Sequence, residues 1–323
     1  MTGEPVVTGI GVVGAWGDSP AGGRAAVALP DTPAEPGWFD TAARLGRRGF
    51  KYLPPACRYL LAAGRAAVAD ADGLAWVAPE RRAGAIGTNT AVRASLAEAD
   101  AAVTEGRVAD LGPAAAPFFA VSAVGTRLSI EHGLKGFTLT LTSPVIAGIE
   151  ALHLGRRAMT AHGCAALLVA ATEDVPGARA GQGAAVLVLE DRAGTGCRGA
   201  PAAYGSCRSR VLFLPPRLLA MAEGRARAVR LVGRALAELD RERAFPIHQV
   251  VDGSPVAAVI AEAVGDTAAV TPRSGALAPM LVVAGLLAGG RPGVVVAGTG
   301  EGTVALVRVC PAGAPRVRGE ETG

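Results

Sequence analysis

The side chains of this sequence that could carry out chemistry are few and widely spaced. The five cysteines lack the CxxC spacing of metal and redox sites, and the four histidines show no pattern of metal ligands. These residues are Cys57, Cys164, Cys197, Cys207 and Cys310, together with His132, His153, His162 and His248. We therefore predict reduced thiols, no metal site and no cofactor.

Three oxygen-bearing side chains stand at the ends of predicted strands. Thr142 and Ser143 lie where a strand meets a long helix, and a hydroxyl there could be acylated if a base lay beside it. Strand-end hydroxyls more often cap the following helix, here with Pro144 in its first turn. Asp252 ends another strand, where a single carboxylate is more often a turn residue than a general base.

The composition restricts the class of protein. Hydrophobic residues make up 50% of the 323 residues, enough to bury a large core. The formal charge is +4, but the basic residues are scattered and aromatic residues make up only 4%, which disfavours a nucleic-acid-binding surface. The first residues lack a basic n-region, and no apolar run reaches about eighteen residues without a charge or a breaker. We expect a soluble, cytoplasmic protein.

Strands and helices are predicted to alternate in two successive series. The first contains strands at 6–13, 83–87, 138–142, 165–171 and 184–190, with helices at 55–71, 89–105, 117–132 and 146–162, of which the second is capped by Asn89. The second contains helices at 218–241, 256–264 and 276–287, with strands at 248–252, 268–271, 293–297 and 304–309. Each series ends in two successive strands, so we predict an α/β fold built from two similar halves.

The segment 191–216 is rich in Gly, Arg and Cys and has no clear period, so we predict that it connects the halves. The two halves then span residues 1–195 and 196–323.

Several short motifs occur in the order and spacing of one known family. They are VVTGIGVVG (6–14), AIGT (85–88), IEHGLKG (130–136), LVAATED (168–174), GQGA (181–184) and AGTGEGT (297–303). In these motifs the chain resembles the β-ketoacyl synthases of type II fatty-acid and polyketide synthesis from its first strand to its last. The resemblance implies a thiolase-like fold, with two pseudo-symmetric αβαβα layered halves and mixed sheets.

The residues that the family uses for catalysis are absent from the matching positions. The family's nucleophilic cysteine lies in a TACxxG elbow, and the matching segment TSPVIAG (142–148) places Val145 at that position. The family's two histidines lie in AHGTGT and KSxxGH segments, and the matching positions hold Asp252 and Ala278, with Arg273 at the lysine. Because no histidine follows His248, the resemblance implies that condensing chemistry has been lost.

A ketosynthase-like chain without its cysteine resembles the chain-length factor, the ketosynthase-like β subunit of type II polyketide synthases. That resemblance implies a heterodimer with a cysteine-bearing ketosynthase, with an acyl carrier protein docking on the complex. The subunit would have no activity alone and would shape the acyl tunnel of this acyltransferase complex and limit chain length. It assigns the interface or tunnel to Phe118, Phe119, Ser122, Leu139, Thr140, Leu141, Thr142, Val145 and Ile149.

Three alternatives to this interpretation stay open. Residues 139–142 could form an ordinary buried strand with no partner. The chain could be a divergent thiolase-fold acyltransferase or decarboxylase that uses Ser143 or Asp252 in place of cysteine. It could also be a homodimeric scaffold that is indifferent to any ketosynthase.

Overall fold

The structure is a computed structural model, which describes residues 4–30, 32–113, 116–191, 203–241, 244–265, 269–272 and 275–313. Its strands are β1 (Val6–Gly14), β2 (Arg82–Gly87), β3 (Thr138–Leu141), β4 (Ala166–Asp174), β5 (Gln182–Glu190), β6 (Gly205–Phe213), β7 (Ile247–Val251), β8 (Ala269–Pro272), β9 (Gly293–Gly298) and β10 (Thr303–Pro311). Its α-helices are α1 (Pro20–Ala28), α2 (Thr41–Leu45), α3 (Pro55–Asp70), α4 (Arg93–Thr104), α5 (Ser122–His132), α6 (Ala147–Ala161), α7 (Pro216–Leu219), α8 (Ala222–Leu239), α9 (Pro255–Val264) and α10 (Leu277–Ala288).

The strands form two copies of one five-stranded pattern. The hydrogen-bonded order is β3-β2-β4-β5-β1-β6-β10-β9-β7-β8, so each set of five has the order 3-2-4-5-1 when counted from its own first strand. In both sets the second, third and fourth strands are mutually parallel and the fifth is antiparallel to its neighbours. In the described part of the chain, two residue pairs, Val6–Ser206 and Val7–Gly205, join β1 to β6. The two similar α/β halves predicted from the sequence are therefore confirmed.

Two central helices lie between the halves. Helix α6 contacts β2, β3 and β4 of the first half and β6 and β10 of the second, and α10 likewise contacts strands of both halves. Alternate residues of β4 enter different cores, with Leu167 and Val169 facing the central helices and Leu168 and Ala170 facing α3 and α5. Helices α8 and α9 cover the outer face of the second half. The predicted αβαβα layering is confirmed.

The prediction for the segment 191–216 was wrong in one respect, because it contains β6. This strand carries Arg208 and Arg210, which obscure the apolar signal of a strand. Both arginines find carboxylates, at Glu4 and Glu238, while all nine residues of β6 pair with β10. The predicted boundary between residues 195 and 196 lies outside the described residues.

Two helix starts also differ from the prediction. The segment predicted as one helix at 117–132 is a short 3-10 turn at Ala116–Phe119 followed by α5, which begins at Ser122. Asn89 does not cap α4, which begins at Arg93 without a side-chain cap. Within the part of the chain that the structure describes, no helix combines the length and the apolar character needed to cross a bilayer.

Candidate functional site

The turn between β3 and α6 has the backbone of a nucleophile elbow. Val145 has a φ of 62°, a left-handed conformation that is strongly disfavoured for a β-branched residue. The Ile146 N–H donates to the Pro144 carbonyl at 2.6 Å, and the Ala147 N–H donates to the Ser143 carbonyl at 3.0 Å. A strained strand-to-helix turn of this kind presents the nucleophile in enzymes that use one. Here its apex carries an isopropyl group.

Two glycines allow the start of α6 to approach its neighbours closely. A Cβ atom on Gly87, at the end of β2, would lie 2.3 Å from the carbonyl carbon of Ala147. A Cβ atom on Gly148 would lie 2.4 Å from Met280 Cγ and 2.8 Å from the Ala276 carbonyl oxygen. The first turn of α6 is therefore held between β2 of the first half and α10 of the second.

The surroundings of Val145 are apolar. Its side chain is 1% exposed and belongs to the central core together with Ile146, Ile149, Ala278 and Met280. Ala278, which the sequence resemblance matches to one of the family's histidines, therefore lies in the same core as the apex of the elbow. A valine among these apolar neighbours can fill space and exclude water, but it cannot accept an acyl group.

A buried carboxylate lies beside the elbow, at the end of β4. Glu173 Oε1 accepts hydrogen bonds from the Asn89 N–H at 2.8 Å and from the Ala276 N–H at 3.0 Å. Its Oε2 accepts from the Thr90 N–H at 2.8 Å and from the Thr90 hydroxyl. Desolvation raises the pKa of Glu173 although these hydrogen bonds act to lower it. The carboxylate thus joins the β2–α4 loop to the start of α10 in the other half.

Asn89 connects this carboxylate to the elbow. Its backbone N–H is bound by Glu173, and its side-chain amide donates to the Thr142 carbonyl oxygen at 2.6 Å. The sequence did not identify this network, and Glu173 entered only as part of the LVAATED motif. The available signal was an acidic residue that closes an otherwise apolar strand.

Asp252, which the sequence resemblance matches to the family's other histidine, is engaged with backbone amides. Its Oδ2 accepts from the Gly300 N–H at 2.6 Å and its Oδ1 from the Ser254 N–H at 3.1 Å. The residue is exposed. Partial burial acts to raise the pKa of Asp252, but the hydrogen bonds from Ser254 and Gly300 outweigh it and hold that pKa below its usual value. This geometry is that of a turn residue.

The histidines occupy other parts of the chain. His132 ends α5, His162 follows α6, and His248 lies in β7. His153 lies on α6, where its Nδ1 is 3.1 Å from the Ser209 hydroxyl, and desolvation lowers its pKa. Arg273, matched to the family's lysine, lies outside the described residues. In the described ranges, no group of three His, Cys, Asp or Glu side chains is placed to hold a metal ion.

The residues predicted for the interface or the tunnel lie in three places. Phe118 is buried in the outer core under α3 and α5, whereas Val145 and Ile149 are buried in the central core on the other side of the sheet. Phe119 is 39% exposed and Ser122 is exposed at the start of α5. The remaining residues, Leu139, Thr140, Leu141 and Thr142, follow the outer strand of the sheet and are exposed or half-buried. The structure does not bring Phe118 to one surface with Val145.

Comparison with known proteins supports the fold through structure alone. No protein-family profile and no curated protein sequence matches the chain. A chain of the structure of AntDE:AntF, a type II polyketide-synthase acyl-carrier protein in complex with its ketosynthase bound to the hexaketide, matches with a TM-score of 0.75 and 16% identity over 96% of this chain and 99% of that chain.

Two further solved structures resemble the chain over nearly its whole length. The ishigamide ketosynthase/chain length factor matches with a TM-score of 0.70 and 21% identity, over 96% of this chain and 100% of the other. A β-ketoacyl synthase from Burkholderia phymatum STM815 matches with a TM-score of 0.75 and 15% identity, over 97% of this chain and 100% of the other. Together with the repeated 3-2-4-5-1 strand order, these matches establish that the chain has the thiolase-like fold of the ketosynthases.

Proposed function

We propose that this chain is a non-catalytic, chain-length-factor-like subunit that pairs with a cysteine-bearing ketosynthase of a type II polyketide synthase. The observation that carries the proposal is Val145 at the apex of the elbow, in a left-handed backbone that only a glycine adopts readily. A fold that keeps this costly turn while placing an aliphatic side chain at its apex has kept the shape of the site without its nucleophile.

The edge of the sheet supports a role in pairing with another chain. Among the described strands, β3 lies at one end of the sheet and is hydrogen-bonded to β2 alone. The Phe137 and Leu141 carbonyls accept from the Gly84 and Thr88 N–H groups of the first half. Because backbone groups alternate in direction along a parallel strand, the N–H and C=O groups of Thr138 and Thr140 point away from β2. An extended partner strand could bind there.

The surface around this edge lacks charge. We call it the β3 face and define it by the exposed and half-buried residues Phe119, Ser122, Thr126, Ile130 and 138–142. The Ser129 hydroxyl lies 2.8 Å from the Thr138 hydroxyl, which joins α5 to β3 within this face. Ile130 is 67% exposed. An uncharged surface with exposed apolar side chains is typical of the buried centre of a protein interface.

In the proposed complex this chain lines part of the acyl tunnel, and its partner carries the catalytic cysteine. The β3 face would pair with the partner's corresponding edge, and Val145, before α6, and Ile149, in its first turn, would lie behind it. Aliphatic side chains there would limit the room for a growing acyl chain. The acyl carrier protein would deliver substrate to the cysteine-bearing partner.

The decisive experiment combines association and chemistry. The chain is purified alone and after co-expression with a cysteine-bearing type II ketosynthase, and both samples are incubated with malonyl and acyl thioesters of the carrier protein. We expect a one-to-one complex and product formation only in the co-expressed sample, with no acyl adduct on this chain by intact mass. An acyl adduct on the isolated chain that disappears in Ser143→Ala or Asp252→Asn would instead establish an acyltransferase.

A matched pair of variants tests the interface. Thr140→Pro removes an N–H that points away from β2, whereas Thr140→Val keeps the backbone and the shape of the side chain. We expect Thr140→Pro to weaken association with the ketosynthase about tenfold or more, through one lost hydrogen bond and the steric demand of the ring. Thr140→Val should bind like wild type. Equal binding by both variants, or a stable homodimer that ignores the ketosynthase, would contradict the proposal.

A further inference from the structure

A second surface, on the outer layer of the other half, carries unbalanced positive charge. Helix α8 is anchored by its apolar side, where Ala228, Val232 and Leu236 are buried in the outer core of the second half. Its opposite side is exposed to solvent. The exposed side is therefore held on a rigid helix of 18 residues rather than on a loop.

Three arginines form one row on this exposed side. Arg227, Arg230 and Arg234 have the spacing i, i+3 and i+7, which places them along one face of a helix. We call this row the basic stripe. Leu231, which is 37% exposed, lies between its members.

The arginines beside the basic stripe form ion pairs with carboxylates, whereas those of the stripe do not. Arg225 pairs with Glu262 at 2.9 Å, and Glu238 pairs with Arg210 at 3.0 Å. Across the described residues, no ion pair involves an arginine of the stripe. Glu238 and Glu262 are thus engaged with neighbouring arginines. Among the described residues, the stripe presents three unpaired guanidinium groups, and one further carboxylate lies nearby, at Glu223, four residues before Arg227.

We propose that the basic stripe is a docking site for an acidic helix of a partner protein. Carboxylates at the same i, i+3 and i+7 spacing on a partner helix would repeat about every 5 Å, which matches the spacing of the arginines along α8. Leu231 would add an apolar contact at the centre of the docked pair. The partner is thus defined by a face of regularly spaced Asp or Glu side chains.

Other polyanions fit the stripe less well. The exposed side of α8 carries no aromatic residue on which a nucleic-acid base could stack. A membrane-binding helix inserts its apolar side into the lipid, but the apolar side of α8 is already buried in the protein core. The proposal goes beyond the proposed function, because the stripe is on the second half whereas the β3 face is on the first.

The test uses the full chain and designed peptides. The probe is a fluorescent helical peptide with Glu at i, i+3 and i+7 on an alanine-rich background, and its control has the same composition with the glutamates distributed around the helix. Binding is measured by anisotropy at low ionic strength. We expect Arg227→Gln/Arg230→Gln/Arg234→Gln to bind the striped peptide about tenfold more weakly than wild type, since each exposed ion pair contributes modestly.

A matched variant separates the stripe from overall charge. Arg48→Gln/Arg93→Gln/Arg291→Gln lowers the net charge equally, at three exposed positions away from α8. Its affinity for the striped peptide should be within about threefold of that of wild type. Raising the salt concentration should weaken the binding of the striped peptide to both proteins. Circular dichroism of each variant checks that the fold is intact.

The proposal is overturned by any of three results. One is an equal loss of affinity in the two triple variants, and another is equal binding of the striped and redistributed peptides. The third is tighter binding of a DNA duplex, or of equimolar phosphatidylglycerol and phosphatidylcholine vesicles, that depends on the stripe. Failure of this test would leave the pairing through the β3 face unaffected, because the two surfaces share no residue.

Discussion

In each half of this molecule, a carboxylate at the end of one strand accepts a backbone N–H that follows the neighbouring strand; we call this connection a tie. The two halves carry the carboxylate on different members of the corresponding strand pair. In the first half, Glu173 at the end of β4 accepts the backbone amides that follow β2. In the second half, Asp252 after β7 accepts the amide of Gly300 that follows β9. By strand order, β7 corresponds to β2 and β9 to β4. The same connection is therefore made from both directions.

The surroundings of the two carboxylates differ more than their hydrogen bonds do. Glu173 is fully buried and Asp252 is exposed. Burial raises the pKa of Glu173, whereas hydrogen bonds outweigh partial burial and lower the pKa of Asp252. Water can replace a lost partner at the exposed tie but not at the buried one. The comparison teaches that burial, rather than the number of hydrogen bonds, sets what each tie contributes.

The buried tie also supports the elbow from behind. Glu173 binds the Ala276 N–H, and the Ala276 carbonyl oxygen lies against Gly148 in the first turn of α6. The exposed tie at Asp252 connects loops of the second half only. Loss of the first tie should therefore disturb both halves, and loss of the second only one.

The largest expected effect is that of Glu173→Ala. The variant leaves the half-buried N–H groups of Asn89 and Thr90 and the buried N–H group of Ala276 without an acceptor. We expect a loss of about 3 kcal/mol or more in the free energy of unfolding. Asp252→Ala should lose less than about 1 kcal/mol because the Asp252 carboxylate is exposed to solvent. Urea denaturation followed by circular dichroism measures both. Similar losses in the two variants would contradict the comparison.

A smaller effect is expected for Thr90→Val. The Thr90 hydroxyl donates to Glu173 and accepts from the Asp174 N–H at 3.0 Å, so valine removes both hydrogen bonds at constant volume. We expect a loss of about 1–2 kcal/mol in the free energy of unfolding. In the Glu173→Ala background the same substitution should cost less, because one of its two hydrogen bonds is already gone. Additive losses would show that Thr90 and Glu173 act separately.

The sequence predicted the layered fold because its strands are buried on both faces and read as apolar runs. The strand at 166–171 is an example, since nearly every residue is aliphatic. It missed β6, whose arginines are acceptable in a strand only because Glu4 and Glu238, far away in sequence, neutralise them. Such long-range pairs carry no local pattern.

The sequence named the residues of the candidate site but not their conformation or contacts. Matching motifs located the elbow at Val145, yet valine is a residue type that argues against a positive φ, so the left-handed turn could not be inferred from it. Asn89 was misread as a helix cap, because a polar residue before a helix signals a cap whether or not its side chain turns elsewhere. It turns instead to Thr142, 53 residues along the chain.

The pH dependence of stability should distinguish the ties further. The pKa of Glu173 is raised above 4.5 in the folded protein, so the folded state binds this proton more tightly than the unfolded state does. Stability should therefore fall as the pH rises from about 4.5 through the raised pKa. Glu173→Gln removes this titration. We expect the urea midpoint of wild type to fall relative to that of Glu173→Gln across that window, and a constant difference would contradict the assignment.

The exposed tie should give the smallest effect, with the opposite sign. The pKa of Asp252 is lowered below 3.8, so its charged form stabilises the folded state above that pH, and this contribution is lost as the pH falls through the lowered pKa. Asp252→Asn should reduce the free energy of unfolding at pH 6 by less than about 1 kcal/mol after solvent screening, and this reduction should become smaller as the pH falls below 3.8. If the contributions of Glu173 and Asp252 to stability change with pH in opposite directions, burial alone reverses the pH response of two carboxylates that make the same connection. If both contributions change in the same direction, hydrogen bonding dominates at both ties.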